Sequence, residues 1–318
     1  MFDHILVPLD GSSLAECVLP HVVAVAHAFG SRVTLLQVLE QTRTPGATRS
    51  VDPLGWHIRK AEAEAYLEEV VGRLQEVDLR TENTLLEGQA VERIIEFAHD
   101  QNVGLILLSS HGRSGLSGWN VSSVVQKIIL RAYVPVMIVR AYQPVTSDLT
   151  GLRYRRLLVP LDCSRRAECI LPLATTLAGF HKSEVLLVHV VSRPQMPCRV
   201  PLTREDSELA NRITERNRLE ATTYLEQLQS WLDVDVQTRL LLSNNAIETL
   251  HDLVEQEEID LAILSAHGYS GGTKWPYGSV AISFIAYGTT PLFIMQDLAP
   301  DEVKPTQAEV AAKEYKGH

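Results

Sequence analysis

The chain has 318 residues, 45% of them hydrophobic, with 29 Lys+Arg against 39 Asp+Glu and a formal charge of −10 at pH 7. That length is about twice the ~150 residues of an ordinary domain, so two domains are the default, and the apolar content suffices for two cores. The acidic balance argues against bulk binding to nucleic acid or anionic lipid, which needs a basic surface. It leaves room for one anionic ligand held by backbone N–H groups and a helix N-terminus.

Met1-Phe2-Asp3-His4 leads into a strand-like segment with no basic region or cleavage site, and no stretch of apolar residues is long enough to span a membrane. The four cysteines, Cys17, Cys163, Cys169 and Cys198, form no C-x-x-C pair. A reduced, cytoplasmic protein is the expectation. Cys17 and Cys169 fall at matching places on apolar helix faces and read as buried structural thiols.

In chain order, Ile5–Pro8 is a short apolar run. A helical pattern follows from Ser13 to Phe29, with Ser13 and Glu16 as a capping box, Gly30 as a stop and Pro20 as a local kink. Val33–Leu39 reads as a strand, Trp56–Glu76 as a long amphipathic helix, Thr81–Leu86 as a strand and Val91–Gln101 as a helix. Val103–Leu108 is an apolar strand entering a glycine loop, Ser123–Arg131 a helix and Pro135–Val139 a last strand. The second half gives the same order: Leu157–Val159, Ser164–Ala178, Val185–Val191, Asp206–Leu232, Val236–Leu242, Ala246–Gln256, Leu261–Leu264, Ser279–Tyr287 and Pro291–Met295. Alternating strands and helices imply parallel pairing with right-handed crossovers, and near-continuous apolar strands such as GLILLS and DLAILS imply a sheet covered on both faces.

The halves are copies. Leu9–Pro20 (LDGSSLAECVLP) and Leu161–Pro172 (LDCSRRAECILP) share eight of twelve residues at an offset of 152, and Ser109 recurs as Ser265 at an offset of 156. A period of this length marks a duplicated domain, not a solenoid unit. The expected organisation is a domain over 1–144, a polar linker over 145–154 within AYQPVTSDLTGL, a second domain over 155–298 and a charged, mobile tail over 299–318. The fold class is two tandem doubly wound five-stranded α/β sheets.

In such a sheet the ligand crevice lies beyond the carboxyl ends of the strands, where strand order reverses. Three segments converge there in each half: Pro8-Leu9-Asp10 or Pro160-Leu161-Asp162, the strand end at Val38 or Val190, and the glycine loop. Gly268 with φ > 0 would let backbone approach a ligand, and Gly278-Ser279 opens a helix whose N–H groups favour phosphate. Ser279 Oγ either caps that helix or donates to a phosphate. Asp162 has an alternative use in an Asx-turn or as an N-cap, with Ser164 competing. Arg113 and Lys274 lie in the loops, within reach of phosphate or simply solvated. His111 and His267 precede glycines and read as local loop hydrogen-bonding groups.

These motifs in order, V-P-L-D, S-x-x-A-E, H-G-R-S-G, the G-S helix start and the closing P-V-M-I-V or P-L-F-I-M strand, resemble the universal stress protein family over both halves. The resemblance implies an adenine-nucleotide α-hydrolase-like, Rossmann-like fold with its two closing strands paired in one chain. The result would be a pseudo-dimeric monomer or a homodimer of tandem chains. It implies ATP, AMP or ADP as ligand, with Mg2+ as an accompanying ion, and a regulatory rather than catalytic role in stress response with an unidentified protein partner. The family's ATP-binding pattern G-x2-G-x9-G-[S/T] falls on Ser265, Gly268, Gly278 and Ser279, and on Ser109, Gly112, Ser122 and Ser123. By this resemblance Asp162 and Val190 contact adenine near Pro160, Gly268 underlies the ribose-phosphate, and Gly278, Ser279 and Val280 hold phosphates. Asp10, Val38, Gly112, Ser123 and Val124 correspond in the first half, where Ser122 adds a side chain at the phosphate position and makes the motif degenerate. The second half is therefore the expected binding site.

Two other readings stand beside this one: a nucleotide-independent interaction scaffold, and a slow ATP hydrolase. A Walker A loop is absent from the sequence. A pyrophosphatase S-G-G-x-D-S motif is not completed either, since Ser270-Gly271-Gly272-Thr273 continues into Lys274-Trp275.

Overall fold

The computed structural model describes residues 1–40, 53–113, 115–116, 121–142, 148–194, 203–269 and 276–297. Cys198, the Ser270–Trp275 stretch with Lys274, residues 143–147 at the start of the linker and the tail lie outside the described residues. The strands are β1 (His4–Leu9), β2 (Arg32–Leu39), β3 (Thr81–Glu87), β4 (Leu105–Ser109), β5 (Val136–Val139), β6 (Arg156–Pro160), β7 (Glu184–Val191), β8 (Val236–Leu242), β9 (Leu261–Ser265) and β10 (Leu292–Met295). The helices are α1 (Leu19–Phe29), α2 (Pro53–Gln75), α3 (Ala90–Asp100), α4 (Ser123–Ala132), α5 (Leu171–His181), α6 (Arg204–Trp231), α7 (Ala246–Gln256) and α8 (Ser279–Tyr287).

All ten strands form one sheet in the order β3-β2-β1-β4-β5-β10-β9-β6-β7-β8. Every pairing is parallel except β5 with β10, where Leu292, Phe293 and Ile294 face Ile138, Met137 and Val136 antiparallel. Each half is thus a parallel five-stranded sheet, and the two closing edges satisfy each other's backbone groups. Strand order reverses between β1 and β4, and again between β6 and β9. Because the strands alternate faces, Ile5, Val7, Leu105 and Leu107 pack beneath α1 and α2. Leu6, Ile106 and Leu108 pack beneath α3 and α4 on the other face. Both apolar layers run continuously from one half into the other.

The helix after each first strand starts later than its sequence pattern suggests. Ala15–Val18 and Ala167–Ile170 form 3-10 turns, and α1 and α5 begin at Leu19 and Leu171 with a proline in the first turn, so Pro20 and Pro172 start helices and kink none. Proline lacks the N–H that the first turn leaves unpaired in any case. The capping role expected of Ser13 falls to Ser12, whose Oγ accepts from Ala15 N at 3.2 Å, while Glu16 pairs with Arg73 at 2.7 Å. Cys17 is buried, with its thiol pushed up to about 11 by burial, in keeping with a structural role; Cys169 is half-buried and raised to about 11 for the same reason.

Side chains also tie the halves together. Arg140, at the end of β5, is fully buried and donates to the carbonyls of Phe284 (2.8 Å), Ile285 (3.3 Å) and Thr290 (3.2 Å), two of them in the last turn of α8. A cation there complements the negative end of the helix dipole. Burial pushes its guanidinium down to about 10, which leaves it charged at neutral pH. In return, Tyr277 Oη donates to Ile129 O of α4 at 3.0 Å. Truncating Arg140 would leave these carbonyls without donors and open a void. Urea denaturation of Arg140→Ala should therefore show a loss of about 2–4 kcal/mol.

On the opposite face α1 meets α5 around Tyr154. Its hydroxyl bonds His21 Nδ1 at 2.8 Å, and His181 packs edge-on to its ring with a centroid separation of 4.9 Å. Neither ring nitrogen of His181 has a hydrogen-bond partner; the Ala24 carbonyl approaches without hydrogen-bond geometry. Burial holds both His21 and His181 at about 4, against 6.5 for a free imidazole. The unfolded chain takes up these protons first, so stability is lost as pH falls from about 6.5 toward 4, by on the order of 3 kcal/mol per histidine. Thermal melts from pH 7 to 4 should show this slope, and His181→Phe, matching Phe29 in the other half, should flatten it and raise the midpoint at pH 5.

Candidate functional site

A cavity opens in each half at the carboxyl ends of the central strands, beside the reversal of strand order. The second-half cavity, of about 680 Å3, is lined by Pro160, Asp162, Val190, Ser265, Gly268, Gly278, Ser279 and Val280, so all eight residues expected there converge. The first-half cavity, about 570 Å3, is lined by Asp10, Val38, Gly112, Ser122 and Val124; Ser123 stands beside it, exposed on the first turn of α4.

The aspartates bind their own chain. Asp162 Oδ1 accepts from Ser164 N (3.1 Å) and Ser164 Oγ (2.6 Å), and Oδ2 accepts from Tyr269 N across the crevice. Asp10 repeats this with Ser12 N (3.0 Å), Ser12 Oγ (2.6 Å) and Arg113 N (2.5 Å). Each carboxylate therefore forms an Asx-turn after the first strand and clamps the glycine loop after the fourth. This corrects the reading of Gly268. Its φ is not positive; among the described residues the positive-φ glycines are Gly11, Gly30, Gly88 and Gly115. Glycine is required because a Cβ on Gly268 would collide with Asp162 Oδ2, as one on Gly112 would with Asp10 Oδ2. Ser265 Oγ likewise turns into the loop and donates to His267 O at 2.6 Å.

The helix starts differ between the halves. Ser122 caps α4, its Oγ accepting from Val125 N at 3.3 Å. Gly278 caps α8 with no side-chain hydrogen bond, so the first-turn N–H groups of α8 face the cavity without a side-chain acceptor. Ser279 is the first helical residue rather than the cap, and it is exposed. A Cβ on Gly278 would meet Ala266 O at 3.4 Å and His267 Cα at 3.8 Å, both ordinary contacts, so the fold itself tolerates a side chain there.

The loops are also anchored differently. His267 is buried and its Nδ1 bonds Asp297 Oδ1 at 2.7 Å, while Arg166 Nε reaches Asp297 Oδ2 at 2.6 Å. His267 thus reaches across to Asp297, past its own loop. Burial raises the Asp297 carboxyl, but the hydrogen bond and charge of His267, with Arg166, outweigh it and the net shift is downward. In the first half Ala141 replaces Asp297, and His111 Nδ1 bonds Ser110 Oγ at 3.1 Å. Among the wall residues of the second cavity that sequence reasoning missed, three stand out. His189, whose Nδ1 donates to Leu161 O at 2.8 Å, lies next to Val190; Tyr277 precedes Gly278; and Leu250 comes from α7. The first two adjoin motif positions, which is the signal that could have found them.

The Universal stress protein family model matches residues 1–140 and again 153–296. The chain belongs to the universal stress protein family. Universal stress protein MJ0577 of Methanocaldococcus jannaschii is 26% identical over 155 residues, 44% of this chain and 96% of that protein. Among solved structures, a universal stress protein from Archaeoglobus fulgidus superposes with a TM-score of 0.64 at 18% identity, covering 94% of this chain and 100% of that one. The PA1789 protein of Pseudomonas aeruginosa PAO1 gives a TM-score of 0.69 at 14% identity, with 98% of each chain covered. In this chain the repeated family unit has kept the aspartate–glycine clamp in both copies while the helix cap has diverged.

If the clamp is the reason for glycine, the two positions are energetically coupled. Gly268→Ala should cost about 2–3 kcal/mol in urea unfolding, and in the Asp162→Ala background its cost should shrink by at least about 1 kcal/mol. Additive losses would remove this account of the glycine.

Proposed function

We propose that this universal stress family protein binds an adenine nucleotide, ATP foremost, in the second-half cavity and acts in stress response by binding, not turnover. The observation that carries the reading is the start of α8: a helix N-terminus without a side-chain cap, opening on a cavity large enough for a nucleotide. In this reading the N–H groups of Ser279 and Val280 and the Ser279 hydroxyl take the phosphates. Val190, with Leu250 and Leu264 near it, supplies an apolar wall for the base. Both oxygens of Asp162 already accept protein donors, so its part is to hold the crevice open between β6 and the glycine loop. Mg2+ would then be carried chiefly by the phosphates. We propose the units as 1–144, 145–154, 155–298 and 299–318, with nucleotide state read out by a protein partner.

Calorimetric titration of nucleotide-stripped protein with ATP and Mg2+ should give one site per chain, unchanged by Ser122→Ala. Gly278→Val should abolish it. Gly278→Ser, which installs the first-half cap, should weaken ATP about tenfold or more while leaving the unliganded melting temperature in place. At 100-fold excess over Kd the bound nucleotide should add about 2.7 kcal/mol to stability. Two equivalent sites, or a site indifferent to Gly278→Val, would overturn the proposal.

A further inference from the structure

α4 and α8 occupy the same place in the two halves, but their outward faces differ in kind. At the offset of 156 that relates them, Gln126 of α4 corresponds to Ile282 of α8 and Arg131 to Tyr287. Ile282 is 47% exposed and Tyr287 67% exposed. With exposed Ser279 and half-buried Ala286 they form the outward side of a helix that has no charged residue along Ser279–Tyr287. A surface helix ordinarily turns charged and polar side chains to water, as α4 does with Gln126, Lys127 and Arg131. A helix left apolar on its outer side is suited to burial against another molecule.

The helices on either side point to which molecule. On one flank, His251 of α7 bonds Ser283 Oγ of α8 at 3.1 Å and stacks on Phe284 with a centroid separation of 4.3 Å. On the other flank, Tyr277 Oη, just ahead of α8, donates to Ile129 O of α4 at 3.0 Å. α7 exposes Glu248, Asp252 and Glu255, at i, i+4 and i+7 along one side. α4 exposes Lys127 and Arg131, at i and i+4. Glu248 also accepts from Asn245 Nδ2 at 2.8 Å, and Arg131 lies 3.4 Å from Glu92 of α3. The contrast is therefore carried chiefly by Lys127 on one flank and by Asp252 and Glu255 on the other. Beyond α4, Arg93 and Glu96 of α3 pair with each other at 2.9 Å.

This face is an uncharged ridge between an acidic flank and a basic one. A two-fold axis along α8 stacks α8 on the α8 of a second copy and lays the α7 of each copy over the α4 of the other. Opposite charges then meet on both rims while the ridge forms the dry centre, as in stable interfaces. A two-fold axis across α8 would instead set acid on acid, in a chain that already carries a charge of −10.

We propose that the chain forms a homodimer through the outer face of α8, with α7 of each copy over α4 of the other. This contact is separate from the pairing of β5 with β10, which is closed within each chain. Ser279 and Ile282 also reach the wall of the second-half cavity, so the test uses nucleotide-stripped protein.

Sedimentation equilibrium of the full chain should show monomer and dimer exchanging with a Kd on the order of micromolar. Ile282→Gln with Tyr287→Arg, which installs the first-half residues at both places, should weaken the dimer about 100-fold or more, because a two-fold contact counts each change twice. Both side chains are exposed, so the melting temperature of the monomer should hold, and a parallel melt checks that the variant folds. Lys127→Glu should weaken the dimer about tenfold, and adding Asp252→Lys and Glu255→Lys should recover most of that loss. A chain that stays monomeric at about 100 μM leaves the face to a different occupant and overturns the proposal. So does a dimer that ignores Ile282 and Tyr287, or one that depends on them yet neither weakens with Lys127→Glu nor recovers in the combined charge reversal.

Discussion

The antiparallel pairing of β5 with β10 is the constraint on which this molecule depends. A parallel five-stranded sheet ends in a strand with one unpaired row of backbone donors and acceptors, and leaving such an edge open invites association with other chains. Here each half supplies the cover for the other, so the duplication solves its own edge problem within one polypeptide. The apolar layers above and below the sheet then run through the junction without interruption. Because the junction is antiparallel, the carboxyl ends of the two half-sheets point in opposite directions, and the two cavities open on opposite edges of the ten-stranded sheet.

Within each half the crevice is held by one carboxylate doing two jobs. Asp10 or Asp162 organises the turn behind the first strand and fastens the loop behind the fourth, which brings two segments about a hundred residues apart to a fixed separation. Both copies retain this clamp, and both retain the glycine it forces. The divergence lies one layer out, where the helix start is either closed by a serine or left open by a glycine. The clamp and the helix cap are thus carried by different residues, so the cap differs between the halves while the clamp does not.

Much of this was legible in the sequence because periodicity and repetition report packing directly. The alternation of strand and helix and the doubled VPLD and HG loops placed both sheets, the family resemblance implied their junction, and every second-half residue expected at the crevice lies in its wall. The errors came where a residue type has more than one use. Ser13 and Ser12 are equally good caps on paper, and only the geometry of the turn selects Ser12. Pro20 marks a helix start as readily as a kink. Gly268 suggested unusual backbone angles, but the reason for it is a carboxylate that arrives from Asp162, more than a hundred residues earlier. Leu250, on α7, went unnoticed because its place in the wall comes from tertiary packing and leaves no local pattern.

Arg140 makes the joint between the halves asymmetric. Its guanidinium fits the end of α8 only because Gly288 has no side chain there; a Cβ would press on both Phe284 O and Arg140 Nη2. The matching position in α4 is Ala132, and the residue matching Arg140 in the second half is Gln296. Were two first halves to pair through β5, each buried cation would meet an alanine where it needs a glycine. The joint is therefore complementary between unlike halves, with the cation on one side and the glycine that admits it on the other.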